Sequence, residues 1–202
     1  MSETLSTIGY YLATLLVVTL PAALFYWFLI HSFAASWRRL GKVPTFMIVG
    51  VICGGLAVAL WTQRDQFMAV HWGYRWPLMA LGIVLYVVGA YADLLVRKQL
   101  VFKILVGTPE LDAEAPGELL TDGVFARSRN PRYLAFMVAI LGFALLLNYP
   151  ALYAVLALCV PGLYFVVLLE ERELRGRFGE QYEEYCRRVP RFLPRWGRIS
   201  EV

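Results

Sequence analysis

Two charged stretches carry the residue types that chemistry needs: Thr121 to Tyr133, TDGVFARSRNPRY, and Glu170 to Pro194, EERELRGRFGEQYEEYCRRVPRFLP. In the first, Arg127, Arg129 and Arg132 crowd around Asn130 and Pro131, and the chain then runs almost uncharged to Leu169. Proline suits the first position of a helix, where its missing N–H would have had no partner. Pro131 therefore starts a helix, and the amides that follow it, up to Leu134, make with the arginines a place suited to an anion. In the second stretch Glu170 and Glu171 directly follow an apolar run. They suit a cationic group, or they pair with the arginines, which themselves suit lipid phosphates. Beyond them Leu174, Phe178, Tyr182, Tyr185 and Val189 form one apolar stripe at helical spacing on an otherwise charged segment, interrupted by Gly176 and Gly179. By itself that stripe reads as a helix lying at a membrane interface.

The elements that must position these residues follow from composition. The chain has 202 residues, 59% of them hydrophobic, and a mean hydropathy of +0.59. That is more apolar surface than a soluble domain of this length buries in one core, so the chain is read as a membrane protein. A first apolar run, about Ile8 to Ile30, is long enough to cross roughly 30 Å of hydrocarbon as a helix bent at Pro21. Nothing basic precedes it and no small-residue cleavage site follows before Trp37-Arg38-Arg39, which argues against a signal peptide. The second run, about Thr45 to Trp61, carries Gly50, Gly54 and Gly55 at a spacing that lets helix backbones approach closely. The third extends from Pro77 to about Val96. The fourth and fifth, Pro131 to Leu147 and about Ala151 to Leu169, are separated only by Asn148-Tyr149-Pro150, which makes them an antiparallel hairpin, with a kink expected at Pro161-Gly162. From Gln99 to Gly123 the sequence is irregular and includes the acidic loop GTPELDAEAPGE.

Of the 19 Lys and Arg, all except Arg64 and Arg75 fall after the first run, between the third and fourth runs as far as the first turn of the fourth, or in the tail. The positive-inside rule makes those segments cytoplasmic and puts the N-terminus outside, with five crossings. Trp61, Trp72, Tyr74, Trp76 and Tyr149 then form an outer aromatic belt, while Trp27 and Trp37 bracket the inner end of the first crossing. Asp93, near the end of the third run, either pairs with Arg97 and Lys98 or faces a polar cavity and a ligand. Cys53 and Cys159 lie in apolar runs and Cys186 in the charged tail, a pattern unlike a disulfide framework. His31 and His71 have no partner at metal-ligand spacing, so no metal is expected.

The linked pattern T-x-G-x-[YF], R-x-P-x-Y, then E-E-x-x-L-x-x-x-F-G-x-x-Y-x-x-Y and V-P-R resembles the superfamily of isoprenylcysteine carboxyl methyltransferases and phospholipid methyltransferases. It is carried by Thr121, Gly123 and Phe125; by Arg129, Pro131 and Tyr133; by Glu170, Glu171, Leu174, Phe178, Gly179, Tyr182 and Tyr185; and by Val189-Pro190-Arg191. The resemblance covers roughly Gly107 to Pro194, and the first three crossings share only hydropathy with it. It departs at Asn130, where the best-studied members carry histidine and bacterial relatives resemble this chain. Asparagine donates and accepts hydrogen bonds but does not shuttle protons near neutral pH.

The resemblance implies an all-α integral membrane enzyme using S-adenosyl-L-methionine, whose site lies at the cytoplasmic side between the start of the hairpin and the C-terminal helix. On that reading residues 1–96 are a three-helix scaffold. The catalytic half, 97–202, comprises a cytoplasmic connector (97–130), the hairpin (131–169) and a cytoplasmic amphipathic helix with its tail (170–202). The amides of Pro131's turn, including Leu134, with Arg129 or Arg191 and the Tyr133 hydroxyl, would hold the cofactor's carboxylate, and Asn130 lies among them. Glu170 or Glu171 and the faces of Tyr182 or Tyr185 would receive its ammonium and sulfonium. Glu171 is the candidate base for an acceptor that must lose a proton, and Arg191 is placed with it as a catalytic candidate. The acceptor is expected to be lipophilic: a phospholipid head group, an isoprenoid or fatty acid, or a small hydrophobic thiol. The implied partners are the membrane and that lipid, with no nucleic acid and no metal, and the localisation is a bacterial or archaeal inner membrane. Two other readings remain: an NADPH-dependent membrane reductase of the sterol-reductase type, and a non-catalytic scaffold or lipid-binding protein.

Overall fold

The computed structural model describes residues 3–100 and 119–193. The acidic stretch from Gly107 to Glu118, and the tail from Pro194, lie outside the described residues. Among those described the chain forms helices and no strands: α1 (Glu3–Ser32), α2 (Ala34–Leu40), α3 (Lys42–Thr62), α4 (Arg64–Phe67), α5 (Trp76–Gln99), α6 (Pro131–Leu147), α7 (Pro150–Phe178) and α8 (Glu180–Arg188). Four of them, α1, α3, α5 and α7, are long and apolar enough to cross a membrane. The apolar α6 has 17 residues, short of the roughly 20 that a full crossing takes. The fifth expected crossing is therefore the one whose length does not by itself settle it.

Proline sets three of the starts. Pro77, Pro131 and Pro150 each stand in the first turn of their helix, where no N–H is needed. Within α1 and α7 the helix continues through Pro21 and Pro161. Gly162, next to the second, faces the side chain of Leu24, so α1 and α7 come together beside this site. The main core forms there: Ala13, Val17 and Leu20 of α1 pack with Cys159, Leu163, Val166 and Val167 of α7 and with Ile140, Ala144 and Leu147 of α6. A smaller cluster of Leu29, Ile30 and Val49 joins α1 to α3.

The closest helix contact is between α5 and α6, and glycine permits it. A Cβ on Gly89 would lie 2.5 Å from the backbone N of Ala139, one on Gly82 2.7 Å from the carbonyl O of Gly142, and one on Gly142 2.5 Å from the N of Tyr86. Gly50, Gly54 and Gly55 do not do what their spacing suggested: a Cβ at any of the three would meet nothing within 4 Å. Their helix, α3, docks on α1 through Val49 and leaves Met47, Val51 and Val58 exposed. Backbone approach thus uses single glycines facing a neighbouring helix, whereas the small-residue stripe faces away from the bundle.

The hairpin turn also departs from the expected aromatic belt. Asn148 caps α6 in the left-handed conformation at φ 52°, which asparagine tolerates. Its amide donates to Gly73 O at 2.6 Å and its carbonyl accepts the Tyr153 hydroxyl at 3.0 Å. His71 reaches the carbonyl of Leu147 at 3.0 Å and packs its ring 4.5 Å from Tyr149. Tyr149 is therefore buried in a knot that ties the 68–76 connection to the hairpin, while Trp61, Trp72 and Trp76 stay exposed as a belt requires. At the other end of α5, Asp93 pairs with Arg97, the plainer of its two readings.

Candidate functional site

The charged end of the hairpin is built around Glu171. α7 does not stop where its apolar run ends at Leu169 but continues to Phe178, carrying Glu170, Glu171, Glu173 and Arg175 on a rigid helix. Glu171 is 1% exposed, and a carboxylate so deeply buried persists only when paired. Arg191 grips it with both arms of the guanidinium, Nε to Oε1 at 3.1 Å and Nη2 to Oε2 at 2.9 Å. Such a two-armed pair fixes geometry as well as charge. Arg129 Nη1 stands 3.3 Å from Oε1, Arg175 Nη2 3.7 Å from Oε2, and the Asn130 amide donates to Oε1 at 3.3 Å. Arg175 is also held by Glu183 at 2.8 Å, so three guanidiniums meet two carboxylates. Arg129 Nε is buried with no hydrogen-bond partner among the described residues.

Backbone bonds lock the second stretch onto the first. The amides of Arg129 and Asn130 donate to the carbonyls of Pro190 and Arg191 at 2.9 and 3.1 Å. The Asn130 side chain donates to that same Arg191 carbonyl at 3.2 Å, as the Ser128 hydroxyl does at 3.4 Å. The V-P-R segment therefore runs alongside the residues that precede Pro131. The amide of Leu134 is committed to the helix, bonding to Asn130 O at 3.4 Å. Gly123 adopts φ +58°, and a Cβ there would collide with the Gln99 side chain, whose Oε1 accepts the Val124 amide at 3.2 Å. The backbone angle is what favours glycine there, since the end of the Gln99 side chain could swing aside.

The apolar stripe of the tail folds inward rather than lying free. Tyr182, Tyr185 and Val189 are buried with Leu119, Leu174, Phe178 and Cys186 around them, and Gly179 at φ +53° breaks α7 from α8 so that the stripe can turn. The Tyr185 hydroxyl donates to Phe125 O at 2.8 Å. Burial pushes both phenols well above their usual range, which keeps them neutral. The ring of Tyr182 already has a cation over it, the Arg175 guanidinium at 5.7 Å, and Arg129 Nη1 donates to the Cys186 sulfur at 2.6 Å. Hydrogen bonding to Glu171 holds Arg191 more firmly protonated than usual.

A second polar face of α7 was not legible in the sequence. The Tyr133 hydroxyl donates to Glu170 Oε2 at 2.9 Å and accepts from Arg132 Nη2 at 2.8 Å. The Arg132 guanidinium lies 4.6 Å over Trp27, which stacks 5.4 Å from His31. His31 Nδ1 lies 3.4 Å from Glu173 Oε2, whose other oxygen takes Arg38 Nη2 at 2.7 Å. The structure thus brings together Arg129, Asn130, Glu171, Tyr182, Tyr185 and Arg191 on one side, and Tyr133 with Glu170 on the other. Arg175 at one helical turn from Glu171 was open to recognition by its spacing. The pairing of His31 with Glu173, 142 residues apart, left no local signal.

The family model described as phospholipid methyltransferase matches residues 77–181, starting at α5, one helix earlier than the motifs suggested. Among curated proteins, the nickel-cobalt-cadmium resistance protein NccN of Alcaligenes xylosoxydans xylosoxydans is 35% identical over 78 residues, 39% of this chain and 37% of its own length. The cobalt-zinc-cadmium resistance protein CzcN of Cupriavidus metallidurans is 38% identical over 78 residues, 38% of this chain and 36% of its own. The chain thus spans little more than a third of the length of these relatives. No solved structure matches. Among the described residues no group of three or more His, Cys, Asp or Glu is arranged to hold a metal ion. With more than half its length under the family model, and that half holding most of the Glu171 cluster, the chain belongs to the phospholipid methyltransferase family.

Proposed function

We propose that this protein is an integral membrane methyltransferase that takes its methyl group from S-adenosylmethionine and gives it to a lipophilic acceptor reached from the bilayer. The observation that carries the reading is the surplus of guanidinium over carboxylate around buried Glu171, with Arg129 Nε buried and unmatched. An amino-acid carboxylate is an anion of the size to complete that cluster, and the N-terminus of α6 adds its positive end. S-adenosylmethionine supplies a sulfonium-bound methyl group. In this reading Arg129 and Arg191 hold its carboxylate, Asn130 orients them, and Glu170 with Tyr133 receives its cationic portion. Both oxygens of Glu171 are engaged by its neighbours, so Glu171 positions the arginines rather than acting as a base. Tyr182 and Tyr185 support the same cluster from α8. The family's name makes a phospholipid head group the first acceptor to try, ahead of fatty or isoprenoid acids and hydrophobic thiols. We further propose five crossings, with α6 as the fourth, the N-terminus outside and the charged end cytoplasmic, in a prokaryotic inner membrane.

The test is equilibrium binding of labelled S-adenosylmethionine to the purified protein, with S-adenosylhomocysteine and NADPH as separate competitors. Binding displaced by S-adenosylhomocysteine and not by NADPH is the expected outcome. Folded protein that binds no S-adenosylmethionine would falsify the proposal. NADPH binding in its place would then favour the reductase, and binding of neither a scaffold.

A further inference from the structure

The His31–Glu173 pair has no part in the arrangement proposed for the cofactor, yet it is built like a working one. Successive residues of a helix are 100° apart, so on α7 Glu170 points between Glu171 on one side and Glu173 on the other. Glu171 serves the arginine cluster, and Glu173 faces α1 and α2. The His31 side chain is fully buried, and that of Glu173 is 13% exposed. Glu173 Oε2 sits at Nδ1 of His31, and Arg38 from α2 holds Oε1. A carboxylate held by an arginine and set against one ring nitrogen fixes the tautomer and orientation of an imidazole. Among the described residues, the charged and titratable groups around His31 include Glu173 from α7, Arg38 from α2, and Arg132 from α6 across the face of Trp27. A run of side-chain contacts, Glu170 to Tyr133 to Arg132 to Trp27 to His31, links the His31–Glu173 pair to the methyl-donor side. Ionisable groups buried within an apolar bundle are costly and mark function more often than packing.

We infer that His31 is the proton acceptor for the methyl acceptor, with Glu173 as its positioning residue, and that the acceptor is a lipid whose nucleophilic atom must shed a proton. The inference rests on the methyltransferase reading above. It supplies at α1 the proton acceptor that Asn130 cannot be. His31 takes the acceptor's proton, and the freed lone pair forms the new bond to the methyl carbon. That carbon's bond to sulfur breaks, its electron pair staying on sulfur as a neutral thioether. A carboxylate acceptor would need none of this, since it attacks as it stands.

The experiment compares wild type, His31→Gln, Glu173→Gln and Glu173→Asp in mixed micelles from pH 5.5 to 9. It uses labelled S-adenosylmethionine with dodecylamine, dodecanethiol or palmitate as separate acceptors. Methylation of the amine or thiol is expected, its rate level at neutral pH and falling on the acid side where the base becomes protonated. His31→Gln is expected to lose the plateau, its rate instead rising with pH throughout as the acceptor ionises unaided, and to lose about 100-fold in kcat at pH 7.5, an effect in the range of general-base catalysis. Glu173→Gln should lose about tenfold, with Glu173→Asp recovering part of it. All variants should keep the wild-type Kd for S-adenosylmethionine within about threefold, a readout that needs no acceptor. A wild-type pH profile in His31→Gln, palmitate as the preferred acceptor, or no transfer to any of the three by protein that binds the methyl donor would overturn the inference. Failure of wild type to bind the donor would instead remove the reading beneath it.

Discussion

At the scale of single residues, Asn130 shows what the charged end requires. Its side-chain amide donates to two acceptors at once, Glu171 Oε1 and the Arg191 carbonyl, and so ties the three parts of the cluster together. Asn130→Asp keeps the shape but replaces that donor with an acceptor facing two acceptors, and its added charge cancels the cationic surplus. The loss of buried hydrogen bonds costs about 1–3 kcal/mol. Affinity for S-adenosylmethionine should therefore fall by at least about tenfold, a factor that corresponds to 1.4 kcal/mol. Asn130→His retains a donor and should stay within tenfold of wild type. The check is calorimetric titration of both variants; an Asn130→Asp protein that binds like wild type would detach Asn130 from the anion site. Of this site, the sequence made legible the residues that share a motif, because Arg129, Asn130, Glu171 and Arg191 are charged or polar where apolar runs end. What it hid was direction. Nothing local shows that Glu170, Glu171 and Glu173 serve different partners until α7 is seen to continue as one helix beyond the apolar run. Tyr133 then goes to Glu170, and His31 to Glu173, only through packing across the bundle.

At the scale of elements, apolar periodicity and proline placement were enough to locate the long helices, and the 131–147 run was read to the residue because Pro131 and Asn148 bound it. Packing partners were not legible, and the glycines show why. A glycine in an apolar run records that some helices approach closely, but the same residue on an outward face leaves an identical trace. Gly89 of α5 abuts the Ala139 backbone, whereas Gly54 of α3 meets open space. Gly89→Ala should therefore strain the α5–α6 contact and cost about 1–3 kcal/mol, the usual range for overpacking. Gly54→Ala should be neutral or stabilising by up to about 1 kcal/mol, because alanine favours the helix. Thermal unfolding in one detergent, read by ellipticity, compares the two directly. Equal losses would mean that α3 packs through its glycines on something outside this chain, or that α5 and α6 are not pressed together as described.

At the scale of the whole molecule, the two ends of the bundle differ in kind, and that asymmetry bears on orientation. One end is knotted by aromatic rings and an asparagine cap, with Arg64 and Arg75 as its basic residues; the other gathers the Glu171 cluster, the His31–Glu173 pair and the helix ends rich in arginine. Lys and Arg hold a segment on the cytoplasmic side during insertion, so the proposed orientation puts the charged end there whether or not the protein is an enzyme. The argument is strongest for α7, which carries Arg172, Arg175 and Arg177 at that end, and for α1, which holds no Lys or Arg itself but leads there into Arg38 and Arg39 of α2. In a background lacking the native cysteines, Gln63→Cys, at the α3–α4 junction, should react with a membrane-impermeant maleimide added to intact cells. Ser200→Cys should react only after the cells are opened. If Ser200→Cys labels in intact cells while Gln63→Cys does not, the protein is inverted, and a site drawing S-adenosylmethionine from the cytoplasm would face the wrong compartment. Labelling of both from outside would point instead to an even number of crossings between those positions. Since α5, α6 and α7 lie between them, that outcome would make the 17-residue α6 a helix that does not span, leaving the four longer helices as the crossings.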